Sequence, residues 1–378
     1  MIMSIYEELL NIKKVINGCG TYTSLGGSIL SHEVLRAMEK ASKFFIDMSE
    51  LHKKAGEYIA NIIGAEAAYI TSGAAAGLFL STIACMTEGD PEKIEQYPDL
   101  TGMKNEIIIQ KPHEICEYYK ILKYAGAKII FVGKKEKVSL SDIESAINEK
   151  TAALAYFVLD PQKEVVPLKE VIKLAHNYDI PVIVDAASEL PPIENLKKFV
   201  NMEADLVIFS GGKDIGGPND TGIICGKKKW VDICYNIGPY NPNNKIYVGR
   251  ILKVSKEDVI GLIIALKNYL MINHKDRLRM WEEKVDFIVK ELSSIPIVKV
   301  KKIFPGIGHP RPLCIPRVEL TIDFKKIGLN IDDFLKKLAL ENPPIRLYKV
   351  NDKVYINPQC LLENEEKIIV NTLKKILI

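Results

Sequence analysis

The chain has 378 residues, 47% apolar and 26% charged, and its 51 Lys+Arg against 48 Asp+Glu leave a net charge of +3. That length exceeds what one hydrophobic core ordinarily supports, so a large domain and a smaller one are expected, and the composition excludes a disordered or fibrous chain. The near-balanced charge argues against a nucleic-acid partner, seven cysteines without a CxxC pair argue against a disulfide framework or a zinc site, and no apolar run approaches the roughly 18 residues of a membrane span.

Residues 1–50 read as an N-terminal arm, in which Glu7 and Glu8 stand where a signal peptide would need an apolar stretch. Together with the cysteine usage this predicts a cytoplasmic protein. Helical periodicity over 51–63 closes at Gly64, and seven short β-rich runs follow at 67–71, 106–110, 128–132, 152–158, 181–186, 205–210 and 221–225. The gaps hold helical patterns at 74–86, 115–125, 140–148, 168–178 and 193–200, while 87–104 is a polar connector. The runs are continuously apolar instead of alternating, as strands covered on both faces of a largely parallel sheet are. Only residues 211–220 separate the last two, too few for a crossover helix, so one of them is expected to run antiparallel. From Lys256 the texture changes to helical patterns through 268 and on to 292, broken near Asn273. Strands are expected at 297–303, 318–322, 346–350 and 354–356, with helices at 331–340 and from 364. The expected organisation is an arm (1–50), a large α/β domain (51–255) and a small α+β domain (256–378).

In open α/β sheets ligands sit beyond the carboxyl ends of the strands, and the residues just past each strand are rich in chemistry here. Thr71-Ser72-Gly73-Ala74-Ala75-Ala76-Gly77 runs straight into a helix, offering free amides, a hydroxyl and no bulk: a cup for a phosphate, or a small-residue turn that only packs a helix. Asp185 ends the fifth run behind apolar residues, either as a satisfied cap or as a carboxylate able to keep a pyridine nitrogen protonated. The sixth ends in Phe209-Ser210-Gly211-Gly212-Lys213, where a lysine at a partly dry edge loses proton affinity and becomes a nucleophile. Phosphate, pyridinium and aldehyde are the handles of pyridoxal 5'-phosphate (PLP), and the conjunction of the three features predicts a PLP site with Lys213 as the Schiff-base residue. His113, just after the second run, stands either to stack on the ring or to cap the helix expected from residue 115.

With these residues in view the chain resembles the fold type I PLP enzymes (aspartate aminotransferase-like), and within them the selenocysteine synthase (SelA)-like branch, in which amino-sugar-acid ammonia-lyases also fall. The matching segments include Gly20-Thr21-Tyr22-Thr23-Ser24-Leu25-Gly26-Gly27-Ser28, Ile70 through Gly77, Val184-Asp185-Ala186-Ala187-Ser188-Glu189-Leu190-Pro191-Pro192, Phe209 through Lys213, Gly217-Pro218, Thr221-Gly222 and Gly249-Arg250 through Glu257. The resemblance implies a mainly parallel seven-stranded sheet with a smaller C-terminal α+β domain. It also implies an aldehyde bond at Lys213, a pyridine partner in Asp185, phosphate contacts from Ser72, Gly73, Ala74 and Ser210, stacking by His113, and at least a homodimer. Two cations usual in the ammonia-lyases are replaced, by Gly216 and Glu114, and Asp214 replaces a small residue after the lysine. The first two changes should weaken the grip on a phosphorylated substrate; Asp214 would orient a substrate amine or hydroxyl, or tune the lysine.

The expected reaction is α,β-elimination from a β-hydroxy amino acid, such as D-glucosaminate or its 6-phosphate, to a 2-oxo acid and ammonia, with Lys213 taking the α-proton. An arginine should clamp the substrate carboxylate: Arg346 first, then Arg250 and Arg311. Aldol cleavage, racemisation, tRNA-dependent selenium transfer and a non-catalytic binding role are the alternatives. Selenium transfer is disfavoured by the low net charge and by the lack of an obvious tRNA-gripping segment ahead of Gly18.

Overall fold

Ile107, Ile108 and Ile109 show how the central sheet is built: Ile108 enters one core, with Val182, Val184, Val207 and Phe209, while Ile107 and Ile109 enter a second, with Ile183, Leu206 and Ile208. Successive strand side chains point to opposite faces, so a continuous apolar run feeds two cores at once. Each such side chain, fully buried, contributes about 1.5–3 kcal/mol of transfer free energy. The computed structural model describes residues 4–159, 162–241, 243 and 245–377.

Along the chain the strands are β1 (Ile16–Asn17), β2 (Ala67–Thr71), β3 (Glu106–Gln110), β4 (Lys128–Val132), β5 (Thr151–Phe157), β6 (Val182–Asp185), β7 (Leu206–Ser210), β8 (Gly222–Gly226), β9 (Val298–Ile303), β10 (Arg317–Ile322), β11 (Ile345–Arg346), β12 (Tyr348–Val350) and β13 (Lys353–Ile356). The seven runs read from the sequence form one seven-stranded sheet of order β2-β8-β7-β6-β5-β3-β4. All pairs are parallel except those of β8, which runs antiparallel to both β2 and β7, as the short 211–220 connection requires. The carboxyl ends of β2, β3, β6 and β7 therefore share one edge of the sheet, with the amino end of β8 among them.

Contacts divide the chain into a unit of residues 30–271 and a unit made of 1–29 with 272–378. The large unit extends beyond the expected 51–255 at both ends because the helix Lys256–Met271 packs on the helix His32–Ser42. Its helix Met48–Ile63 begins under the Asp47 side chain, which accepts from the Glu50 amide at 2.9 Å, and ends at Gly64 with φ +80°. The helix Ala74–Thr87 is apolar on nearly every side and, but for the half-buried Phe79, buried from Ala76 to its end. Where a helix over 115–125 was expected, a 3₁₀ turn (Lys111–Ile115) precedes a shorter helix, Tyr119–Tyr124. The connector 87–104 contains a short helix, Pro91–Gln96, capped by Asp90.

The second unit holds a four-stranded antiparallel sheet, β12-β13-β10-β9, with a core that includes Val285, Ile288, Val318, Leu320, Phe334, Leu338, Ile369 and Leu373. The expected strand 346–350 is split: β11 pairs in parallel with β1, and β12 pairs with β13. No helix among the described residues is long and apolar enough to cross a membrane.

Candidate active site

At the shared edge, β2 ends at Thr71, whose hydroxyl donates to the Gly73 carbonyl at 2.9 Å and fixes the turn into the helix Ala74–Thr87. Gly73 adopts φ +87°, a value side chains rarely tolerate, and no side chain caps the helix. A Cβ built on Gly73 meets nothing within 4 Å, so there is open space beside this turn. Gly222 makes this possible from the other side, since a Cβ there would lie 2.5 Å from the Gly73 carbonyl carbon. Ser72, Gly73 and Ala74 are all half-buried, and Ser210, at the end of β7, pairs with Gly222. The Gly73 amide donates to the Thr71 carbonyl at 2.9 Å, and the helix end beyond it, with no side-chain cap, the neighbouring Ser72 hydroxyl and room, has what an anion cup requires.

Asp185 closes β6, and its carboxylate accepts from the Ala187 amide at 3.0 Å. Lys213 follows β7 through a turn in which Gly211 donates to the Thr221 carbonyl at 2.8 Å and Gly217 to the Gly211 carbonyl at 2.9 Å. A side chain at Gly212 could not be accommodated, because its Cβ would fall 2.4 Å from Asn219 Cα. The Lys213 amine donates a hydrogen bond to the Ser188 hydroxyl. Burial holds its proton affinity below the usual lysine range, and the charges of Asp185, Glu189 and Cys116 pull it partly back. These are the conditions of a lysine that can act as an amine nucleophile.

His113 lies in the 3₁₀ turn after β3 with none of its surface exposed, edge-on to Tyr156 (centroids 4.7 Å apart) and Phe157 (6.3 Å). Neither ring nitrogen has a hydrogen-bond partner among the described residues, so the expected alternative of a helix cap is not what this side chain does. Burial pushes its pKa down to about 3, leaving a neutral imidazole. An orphaned, neutral aromatic ring, an open anion cup and a lysine and carboxylate on neighbouring strands fit PLP.

Asp214 is buried beside the lysine, and Gly216 has φ +77° with open space where a side chain would begin. Glu114 pairs with Lys111 at 2.9 Å, so the charge change at that position is partly neutralised within the same turn. Arg250 is exposed in a 3₁₀ turn, and its charge acts on the Tyr240 hydroxyl. Arg346 and Arg311 belong to the second unit, where Arg346 is exposed with its charge acting on Cys19 and Arg311 is half-buried. Residue-by-residue reading missed four neighbours. Ser188, in the turn after β6, accepts from the lysine, Glu189 beside it and Cys116 act on the lysine electrostatically, and Tyr118 lies where the Asp185 charge, after burial, raises its pKa. Ser188 and Glu189 could have been suspected from their place within four residues of Asp185; Cys116 and Tyr118 carried no sequence signal.

The fold and this edge define a fold type I PLP enzyme. The profile of the family described as SelA, L-seryl-tRNA selenium transferase, matches residues 15–296, and the chain belongs to that family. It is 31% identical to the D-glucosaminate-6-phosphate ammonia lyase of Salmonella typhimurium, over 100% of this chain and 98% of the relative. It is 30% identical to the 5'-C-glycyluridine monooxygenase-decarboxylase of a Streptomyces species, over 98% of this chain and 91% of the relative. Among solved structures, that of a D-glucosaminate-6-phosphate ammonia-lyase superposes with a TM-score of 0.84 at 30% identity, covering 100% of this chain and 99% of the other.

Proposed function

We propose that this protein is a PLP-dependent ammonia-lyase acting on a 2-amino-2-deoxy sugar acid, D-glucosaminate or its 6-phosphate, to give a 2-oxo acid and ammonia. The observation that carries the reading is the half-buried Lys213 amine, hydrogen-bonded to Ser188 and under the influence of the Asp185 charge, in a chain alignable end to end with an ammonia lyase of that name.

In this reading Lys213 holds the cofactor aldehyde, Asp185 the pyridine nitrogen, Ser72, Gly73, Ala74 and Ser210 the phosphate, and His113 lies against the ring. PLP, when bound, supplies an electron sink for the pair left at Cα. Lys213, neutral when released, accepts the α-proton at Nζ, and the Ser188 hydroxyl orients that amine for the transfer. His113, neutral and packed edge-on to Tyr156 and Phe157, brings no competing charge to the cofactor. Arg346 is the first candidate for the substrate carboxylate, then Arg250 and Arg311, and Asp214 is a candidate for a substrate amine or hydroxyl. The loss of cations at Gly216 and Glu114 favours the unphosphorylated sugar acid over its 6-phosphate.

The protein is further proposed to be cytoplasmic and at least a homodimer. Seven free cysteines support the first, and the run Phe44-Phe45-Ile46, exposed at 72%, 104% and 54%, supports the second. Sedimentation of the purified protein tests the dimer; a monomer at micromolar concentration would remove it. The activity is tested by incubating the holoenzyme with D-glucosaminate, with and without a 6-phosphate, and assaying ammonia and 2-oxo acid. Aldehyde release without 2-oxo acid would overturn the proposal. The 30% identity to a monooxygenase-decarboxylase favours one second reading, a different PLP reaction on an amino acid, recognised by carbon dioxide release and oxygen uptake in the same incubations.

A further inference from the structure

Elimination of a hydroxyl needs two proton movements, and Lys213 accounts for only one of them. Hydroxide is a poor leaving group, so the departing oxygen must be protonated as its bond to Cβ breaks. Two carboxylates exert their charge on the Lys213 amine, those of Asp185 and Glu189. In the reading above Asp185 is committed to the pyridine nitrogen; Glu189 has no assigned part. It is 6% exposed, in the turn that also carries the Ser188 hydroxyl bonded to Lys213. Its backbone is pinned on both sides: the amide donates to the Ala186 carbonyl at 3.1 Å, and the carbonyl accepts from the Asn195 side chain at 2.7 Å. The backbone that carries this carboxyl is thus held in the same turn as the Ser188 partner of the lysine.

We propose that Glu189 is a catalytic acid, delivering the proton with which the β-hydroxyl of the substrate leaves as water. The inference rests on the ammonia-lyase reading. The Cα–H bond breaks and its proton passes to the neutral Lys213 amine. The electron pair forms the Cα=Cβ bond as the Cβ–O bond breaks, and the oxygen departs with its own pair and the Glu189 proton. Lys213, now an ammonium, returns one proton to the Glu189 carboxylate through the Ser188 hydroxyl, so both groups end as they began and no oxidant or reductant is consumed.

The test is the holoenzyme variant Glu189→Gln on D-glucosaminate, with Glu189→Asp beside it. Ammonia release by Glu189→Gln is expected to fall about 100-fold or more, the scale of a lost general acid, with a partial return in Glu189→Asp. Exchange of the substrate α-proton with deuterated solvent, followed by NMR, should stay within a few-fold of wild type. Cofactor absorbance and melting temperature should be unchanged, which separates a lost acid from a lost fold. Equal loss of exchange and ammonia release, or no loss of either, would overturn the role. A wild-type enzyme that neither exchanges nor eliminates would instead defeat the ammonia-lyase reading. The cofactor-free protein gives an independent readout: removing the Glu189 charge should raise the reactivity of Lys213 toward an amine-acylating reagent several-fold, and unchanged reactivity would show that the two side chains are not neighbours.

Discussion

The Lys213 amine donates to the Ser188 hydroxyl, joining the turn after β7 to the turn after β6. This bond fixes where the lysine nitrogen sits before any cofactor arrives. Replacing Ser188 by Ala removes a net contribution of about 0.5–1.5 kcal/mol, equivalent to roughly a 2- to 10-fold loss in the rate of cofactor capture. Stopped-flow absorbance on the cofactor-free protein measures it; an unchanged rate would mean the bond has no part in positioning the amine.

Lys213→Ala should lose turnover by at least about 1,000-fold, the loss that its proposed roles as covalent anchor and base require. Borohydride should trap a covalent adduct in the wild type and none in the variant. Residual activity near the wild-type level would count heavily against the assignment.

Asp185→Asn keeps the shape of the side chain and its bond from the Ala187 amide while removing the charge. Loss of a charge-assisted hydrogen bond of about 1.5–3 kcal/mol predicts a drop in kcat of roughly 10- to 100-fold. The cofactor should still bind, its absorbance shifted; a variant with normal kcat would exclude Asp185 as the pyridine partner.

Gly73→Val places a branched side chain into the open space at the helix end and onto a backbone with φ +87°. The strain, about 1–2 kcal/mol, falls on the stability of the fold, while the bulk would occupy the proposed phosphate cup, so PLP affinity should fall by about 10-fold or more. Titration of cofactor fluorescence gives the affinity, and pyridoxal without phosphate serves as control: its binding should be much less affected.

Two buried histidines predict how the protein responds to acid. Burial takes His52 down to about 4 and His113 to about 3, against an ordinary value of 6.5. Between those values and 6.5 the unfolded chain binds a proton that the folded chain refuses. Stability therefore falls as pH drops through this window, by about 1.4 kcal/mol per unit for each histidine, and the loss levels off below the folded values. His52 stacks on Tyr240 at 5.0 Å and has no partner for either nitrogen among the described residues, so His52→Phe should keep the packing and remove its share. Melting temperatures from about pH 7 to about pH 5 should decline less steeply in the variant; parallel slopes would refute the account.

The central sheet was legible because Ile107, Val184 and Phe209 belong to runs apolar on both faces, a pattern local in the chain. The position of Lys213 after such a run was equally local. Ser188 and Glu189 stood in a quoted segment but acquired no role, because their chemistry depends on a lysine some 25 positions further on coming back to meet them. Cys116 and Tyr118 lay inside an expected helix, whereas the chain makes a 3₁₀ turn with Pro112 at its start and begins the helix only at Tyr119. The helix from Lys256 was assigned by texture to the C-terminal part, but texture cannot reveal that its partner is the helix from His32, more than two hundred residues earlier.

The antiparallel β8 has a consequence for the order in which this protein can be made. β2, which leads into the proposed phosphate cup, pairs among the described strands with β8 alone, and β8 is the last of the seven to leave the ribosome. A nascent chain stopped before Thr221 has the first strand of this sheet without its β8 neighbour and its lysine turn without the Thr221 carbonyl that accepts from Gly211. Cofactor loading during synthesis must wait for that strand, and shorter fragments should be recognised by proteases and chaperones as unfinished.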